Sequence, residues 1–189
     1  MKGHLTILLA GGVAALALLA AGCGGGNGSS STTTTTASAA DWANSFCTAL
    51  TSWSDSLKSV GKTLASPSSL SKDGLQKAAD QVKTANQQLA DDLKGLGAPN
   101  TESGQQVKTA VDGLSTTLQD DVSKIQNTAQ NVSGLTGVVS AASSIATTLS
   151  AMNTAFASTM TTIDNADAKG ELQNAFKQTD SCKTILPSS

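Results

Sequence analysis

From Asp41 onward, large apolar residues recur every three or four positions, which is the period of an α-helix with one buried face. The first segment carries this pattern at Trp42, Phe46, Leu50, Trp53, Leu57, Val60 and Leu64. The two tryptophans are 11 positions apart, about three helical turns, so both are expected on the same face. We expect Asp41 to cap the start of this helix. Ser66-Pro67 is expected either to end it or to cap the next helix.

Three further segments show the same period. The second is predicted to begin near Ser71 and to stop at Gly97 and Pro99, and the third begins near Thr101. The fourth carries Val138, Ala142, Ile145, Leu149, Met152, Phe156, Met160 and Ile163. No segment shows a sustained alternation of β-branched residues with period two, so no strands are expected.

The helical phase breaks after Ile163, because the next large apolar residue, Leu172, would point to the opposite face of a continuous helix. A break or kink is therefore predicted at residues 164–167. A last helix would carry Leu172, Phe176 and the region of Cys182, and would end before Pro187.

Short connections make consecutive helices antiparallel neighbours. The sequence therefore predicts an all-α domain over residues 41–186, an antiparallel four-helix up-down bundle with a short C-terminal fifth helix or kinked extension. Such a topology returns the end of the fourth helix to the level where the first helix begins.

The N-terminus has the features of an export signal: Lys2 precedes an apolar stretch, Leu5 to Leu19, and then the residues Leu18-Leu19-Ala20-Ala21-Gly22-Cys23. Small residues before a cysteine resemble the bacterial lipobox, although Ala20 stands where that motif usually has Leu. The resemblance implies that residues 1–22 are a lipoprotein signal peptide and that Cys23 carries a diacylglycerol. The alternatives are an ordinary secretory signal cut at another site and an uncleaved anchor.

Residues 23–40 follow as a Gly-, Ser- and Thr-rich stretch. It contains no apolar residue larger than Ala beyond the lipobox cysteine, so it cannot bury enough surface to fold. As a flexible coil of this length it would span about 23 Å. This suits a spacer that holds the helical domain away from a membrane.

If Cys23 carries lipid, two cysteines remain. Cys47 lies near the start of the predicted domain and Cys182 near its end, and disulfides persist in exported proteins. We expect a structural Cys47–Cys182 disulfide, which chain-entropy arithmetic values at roughly 5 kcal/mol as an upper bound. A redox or catalytic thiol is disfavoured because the chain has no CxxC motif and no His in the domain.

Composition narrows the chemistry of the domain. The chain contains no Arg and no Tyr, its one His is His4, and its net charge is −2. Histidine, the usual general base and a common zinc ligand, is therefore missing from the domain. An acidic balance without Arg disfavours nucleic-acid binding. We expect no enzyme activity, no cofactor and no metal site.

The apolar stripe of the first helix allows two interpretations. Trp42, Phe46, Trp53 and Leu57 are expected to form plain core, and the alternative is that they line a pocket for a small apolar ligand between helices. The second interpretation would make the protein a binding protein or sensor.

Four stretches carry a resemblance to a family: Ala21-Gly22-Cys23, the Thr-rich spacer, residues 42–47 (WANSFC) and residues 167–182 (DAKGELQNAFKQTDSC). With them the chain resembles the small, uncharacterised secreted lipoproteins of actinobacteria. The resemblance implies a lipid-anchored helical domain on the outer face of the cytoplasmic membrane, and it implies no known activity. The expected function is a non-enzymatic interaction or structural module, with the membrane and an envelope protein or cell-wall component as partners.

Overall fold

The computed structural model describes residues 37–66 and 70–185. The predicted signal peptide, the lipidation site Cys23 and nearly all of the predicted spacer lie outside the described residues. So do residues 67–69 and 186–189.

The described part of the chain is helical and contains no strand, which confirms the all-α prediction. Five α-helices are followed by one short 3-10 turn, Asp180–Cys182. The helices are α1 Ala39–Leu64, α2 Lys72–Leu96, α3 Gly104–Gln130, α4 Gly134–Ala166 and α5 Glu171–Gln178.

The first two helices begin at serine caps. Ser38 caps α1: its hydroxyl accepts a hydrogen bond from the backbone N–H of Asp41 at 3.2 Å and donates one to the Asp41 carboxylate. The prediction of Asp41 as the cap is therefore wrong by three residues, because Ser38 satisfies the free N–H group and Asp41 sits inside the first turn. Helix α2 begins near Ser71 as predicted, and the Ser71 hydroxyl caps it by accepting a hydrogen bond from the Gly74 N–H.

The third helix begins later than the expected start near Thr101. Thr101 N–H donates to the Pro99 carbonyl at 2.9 Å, so residues 101–103 form a turn and α3 starts at Gly104. The backbone of Gly104 lies against the Pro99 carbonyl, where a Cβ atom would overlap that oxygen. A glycine therefore permits this tight entry into α3.

The break between α4 and α5 is real, but α4 runs on to Ala166 and the break begins at Asp167. Gly170 adopts a left-handed conformation with φ 67°, which glycine adopts without steric cost. The Asp167 carboxylate accepts from the Gln173 N–H at 2.8 Å and so satisfies the first turn of α5. Cys182 lies in the separate 3-10 turn and not in the last helix, contrary to the expectation.

Consecutive helices pack against each other most extensively, as the short connections predict, whereas α1 and α4 meet only sparsely and α5 packs on α1. The start of α1 lies beside the end of α2, because Trp42 Nε1–H donates to the Gly97 carbonyl at 3.1 Å. The Asn100 N–H donates to Ala37 O at 3.0 Å at the same end. This arrangement fits an antiparallel four-helix bundle with α5 as an added fifth helix.

The start of α1 and the end of the chain meet in an aromatic cluster. Trp42 stacks on Phe46 with ring centroids 4.8 Å apart, and Phe176 of α5 packs against both rings at 6.3 and 6.1 Å. All three side chains are buried. Because large aromatic side chains bury much apolar surface, this cluster anchors α5 to α1.

Candidate functional site

The disulfide prediction is confirmed: Cys47 in α1 and Cys182 in the 3-10 turn are bonded, and both are buried. Polar contacts reinforce the junction, since the Ser181 hydroxyl donates to Asn44 Oδ1 at 3.0 Å. Both sulfurs are in the bond, so neither cysteine is a nucleophile in this state. The bond holds the last described residues against α1.

The four candidate residues of the α1 stripe fall into two environments. Trp42 and Phe46 are completely buried, and the indole N–H of Trp42 is satisfied by Gly97. Leu57 is also a core residue, with 5% of its surface exposed. Trp53 lines a cleft to which, in the described part of the chain, the other three side chains do not contribute.

The Trp53 cleft is formed by α1, α4 and the residues after the 3-10 turn, and has a volume of about 250 Å³. Its apolar wall consists of Leu50, Trp53, Phe156 and Ile185. Phe156 and Ile185 come from elements distant in sequence from α1. Ile185 lies beyond every regular repeat, so the helical period gives no signal that it would join the cleft.

The indole N–H of Trp53 has no hydrogen-bond partner, although the residue is only 3% exposed and Nε1 is buried. Buried polar groups are nearly always paired, and an unpaired donor costs about 1–3 kcal/mol. Among the described residues the unpaired Trp53 donor is therefore a feature that requires an explanation.

Charge at the Trp53 cleft is balanced. Lys58 lies at the cleft edge and its ammonium contacts the Asp55 carboxylate at 3.1 Å, with both side chains more than half exposed. The only other polar side chains at the edge of the described cleft are Ser54, Asn153 and Thr184, which are neutral. The cleft therefore combines an apolar wall with neutral polar groups and one ion-paired lysine, and the unpaired Nε1–H of its lining residue Trp53 is buried.

A second depression lies between α2 and α3 and has a volume of about 510 Å³. It contains Asn86, a residue only 4% exposed whose Oδ1 atom also lacks a partner. Its lining includes amide and charged side chains, such as Gln119 and Lys83, together with the aliphatic residues Ala90 and Val122, and it contains no aromatic residue. An Asn at an apolar position of the second helix is the sequence signal for this site, and the apolar period alone does not reveal it.

Among the described residues, five lysines form ion pairs with acidic side chains, and in four of these pairs both partners are exposed. In the part of the chain that the structure describes, no group of three His, Cys, Asp or Glu residues is arranged to hold a metal ion. A hydrogen bond from Lys183 lowers the pKa of the Asp180 carboxyl, and a hydrogen bond to Asp121 raises the pKa of Lys124. Asp121 is buried at 4% exposure and keeps this partner at 2.7 Å.

Helix α4 differs from the others in charge. No charged residue occurs between Ile125 and Ile163, and within this run Leu135 and Val139 are 78% and 56% exposed. Leu135 and Val139 are the exposed large apolar side chains of the described surface. By length and composition α4 meets the requirements of a membrane-spanning helix, and 33% of its most apolar window is buried inside the bundle.

The hydroxyl groups of α4 are directed back onto their own helix. The side chains of Thr147, Thr148, Thr154, Thr161 and Thr162 each donate to the carbonyl four residues earlier, at 3.0–3.1 Å. The hydroxyl donor of a threonine bonded in this way is already paired within its own helix. The outer face of α4 is thus uncharged and weakly polar.

Comparisons of the chain with protein-family models, with curated proteins and with solved structures find no match.

Proposed function

We propose that this protein is a membrane-anchored extracytoplasmic lipoprotein that acts as a non-enzymatic interaction or structural module of the cell envelope. The lipid anchor would be at Cys23, and residues 23–40 would be the spacer between membrane and bundle. The protein would lie on the outer face of the cytoplasmic membrane, as its resemblance to actinobacterial secreted lipoproteins implies.

The disulfide supports the extracytoplasmic part of this proposal. Structural disulfides persist in oxidising compartments and are rare in the reducing cytosol. Cys47 and Cys182 are 135 residues apart and close nearly the whole described domain into one loop. This is the kind of crosslink that an exported domain rich in small side chains uses for stability.

The uncharged outer face of α4 is the observation that carries the interaction part of the proposal. Leu135 and Val139 lie one turn apart on the same face, and no charged side chain on α4 accompanies them before Asp164. Exposed apolar residues in an uncharged surface are typical of protein contact sites. An envelope protein or cell-wall component would contact this face.

Fractionation tests the anchor. We expect the full chain to appear in the membrane fraction and to incorporate labelled fatty acid. The Cys23→Ser variant should lose the label and appear in the soluble fraction. The double variant Cys47→Ser/Cys182→Ser is the matched control and should keep the label. A Cys23→Ser protein that stays in the membrane would show that the apolar stretch Leu5 to Leu19 is the anchor instead.

Crosslinking in intact cells tests the interaction face. A photoreactive amino acid at Val139 should form a discrete adduct that disappears when Leu135→Lys is added, because a charge disrupts an apolar contact. The same photoreactive group at Lys77, an exposed position on α2, is the control and should give no such adduct. Absence of an adduct at Val139, or equal adducts at both sites, would contradict the interaction role.

A second candidate function is the binding of a small apolar ligand between helices. The Trp53 cleft favours it, because a concave site that combines apolar side chains with a few polar groups is the usual composition of a ligand site. The two functions are compatible, since the cleft and the exposed residues Leu135 and Val139 involve different residues.

A further inference from the structure

The unpaired donor of Trp53 defines the chemistry of the Trp53 cleft. An indole N–H donates and cannot accept, so its missing partner must be an acceptor atom. The same ring type eleven residues earlier in α1 has such a partner, the Gly97 carbonyl, at 3.1 Å. Trp53 has none among the residues that the structure describes. A carbonyl oxygen of a ligand would supply what Gly97 supplies to Trp42.

Size restricts the ligand. An apolar cavity of about 150 Å³ already binds benzene, and pockets for drug-sized molecules measure about 300–1,000 Å³. The volume of about 250 Å³ at Trp53 lies between these limits. It accommodates one ring with a small substituent, packed against Leu50 and Phe156.

Charge restricts the ligand further. Lys58 lies at the edge of the cleft but is engaged by Asp55, and both groups face solvent. A ligand carboxylate would have to compete with Asp55 for this ammonium, and a cationic ligand would find no free carboxylate lining the described cleft. The complementary ligand is therefore neutral.

We propose that the Trp53 cleft binds a small neutral ring compound with a carbonyl oxygen, and that Trp53 Nε1–H donates a hydrogen bond to this oxygen. The proposal rests on the second candidate function above and names its ligand class. It is independent of the lipid anchor. Lys58 has no role in binding.

A ligand would reach Trp53 Nε1 only if the wall of the cleft moves. Nε1 of Trp53 makes no contact with solvent in the free protein, so the ligand oxygen must replace a neighbouring side chain. The outer wall includes Thr184 and Ile185, which follow the 3-10 turn. Ile185 N–H donates to Cys182 O at 3.2 Å, so the wall is attached to the bundle through the disulfide-bonded residue.

Two probes of matched shape test the proposal by NMR. Acetophenone has one ring and one carbonyl, and ethylbenzene has nearly the same shape without the oxygen. The chain has two tryptophans, so its nitrogen–proton spectrum contains two indole signals. Acetophenone should shift the Trp53 indole signal downfield, leave that of Trp42 unchanged, and bind about 3- to 10-fold more tightly than ethylbenzene.

Two variants complete the experiment. Trp53→Phe keeps an apolar ring and should abolish the preference for acetophenone, with the unchanged Trp42 signal showing that the fold is intact. Lys58→Gln should bind acetophenone like the unsubstituted protein, and a more than threefold loss would overturn the assignment of a neutral site.

The outcomes separate this inference from the function on which it rests. Equal binding of both probes without a shift of the Trp53 signal would overturn the hydrogen bond while leaving an apolar ligand site in place. No binding of either probe up to its solubility would overturn both the inference and the second candidate function. Neither result bears on the membrane anchor.

Discussion

Two tryptophans on one face of α1 have different surroundings. Trp42 is sealed in a cluster with Phe46 and Phe176, and its N–H is paired with Gly97. Trp53 is almost as buried, at 3% exposure, yet its N–H is unpaired and its ring borders a cleft. Cys47 lies between them on the same helix and bonds to Cys182.

The difference shows how helix packing assigns roles to equivalent positions. At Trp42 the neighbouring chain is the end of α2, where a carbonyl without a helical partner is free to accept. At Trp53 the neighbours are Phe156 of α4 and the residues after the 3-10 turn, where α1 and α4 meet only sparsely. A gap between helices therefore exists at one tryptophan and not at the other.

Removing the disulfide should have the largest effect. The double variant Cys47→Ala/Cys182→Ala should lower the free energy of unfolding by about 2–5 kcal/mol, because the closed loop spans most of the domain. Urea unfolding measures this change. In the folded variant, acrylamide should quench the fluorescence of Trp53 more strongly than in the unsubstituted protein, because Thr184 and Ile185 lose their attachment. Quenching of Trp42 should be the same in both proteins.

A reducing agent provides the control for this variant. It should lower the stability of the unsubstituted protein toward that of the variant and should not affect the variant itself. An unchanged urea midpoint in the double variant would contradict a stabilising role for the bond.

Replacing each tryptophan by phenylalanine tests the comparison directly. Trp42→Phe should cost about 2–4 kcal/mol, because it opens a void in a sealed cluster and leaves the Gly97 carbonyl without its donor. Trp53→Phe should cost about 1 kcal/mol or less, because the lost packing is offset by removal of an unpaired N–H. Equal losses in urea unfolding would show that the two N–H groups are equivalent.

The tight turn beside the Trp42 cluster should be the next most sensitive position. Gly104→Ala should destabilise by about 1–3 kcal/mol, because the new Cβ overlaps the Pro99 carbonyl and moves the loop that follows Gly97. Thermal unfolding measures the effect. Gly113→Ala in α3 is the control: its Cβ meets open space, so alanine should stabilise by about 0.5–1 kcal/mol. A stabilising Gly104→Ala would contradict the described turn.

The smallest effect concerns pH at the turn that carries Cys182. Lys183 lowers the pKa of Asp180, so this pair contributes stability above the unfolded pKa of about 3.9, and the contribution is lost as pH falls through the lower folded value. Carbon NMR titration should give Asp180 a midpoint below its ordinary value. In Lys183→Gln the midpoint should return toward that value, and an unshifted midpoint in both proteins would exclude the pair.

Much of the fold followed from the sequence because its signals are local. The apolar period located α1 to α4 and the phase break before Leu172, and cysteine arithmetic paired Cys47 with Cys182. Boundaries were less accurate: Ser38 caps α1 in place of Asp41, and α3 begins at Gly104. Hydroxyl and carboxylate side chains can both accept from the free N–H groups of a first turn, so neighbouring candidates for a cap are hard to separate by pattern alone.

The candidate site was less accessible to sequence reasoning. Trp42, Phe46, Trp53 and Leu57 form one stripe with one period, and nothing in that period distinguishes a residue in sealed core from one beside a cleft. Ile185 and Phe156 complete the Trp53 cleft from distant positions. The period of the second helix does not indicate a site at Asn86, because a single polar residue hardly changes the apolar pattern.

The sequence by itself determined the helical class, the order of the helices and the pair of cysteines, because helix formation depends on neighbours three and four residues apart and only two cysteines lie in the domain. Only the tertiary structure decided which tryptophan has a partner, which apolar residues of α4 stay exposed and where a cleft lies. These properties depend on the distance between surfaces of different helices, and the packing of side chains from separate segments sets that distance.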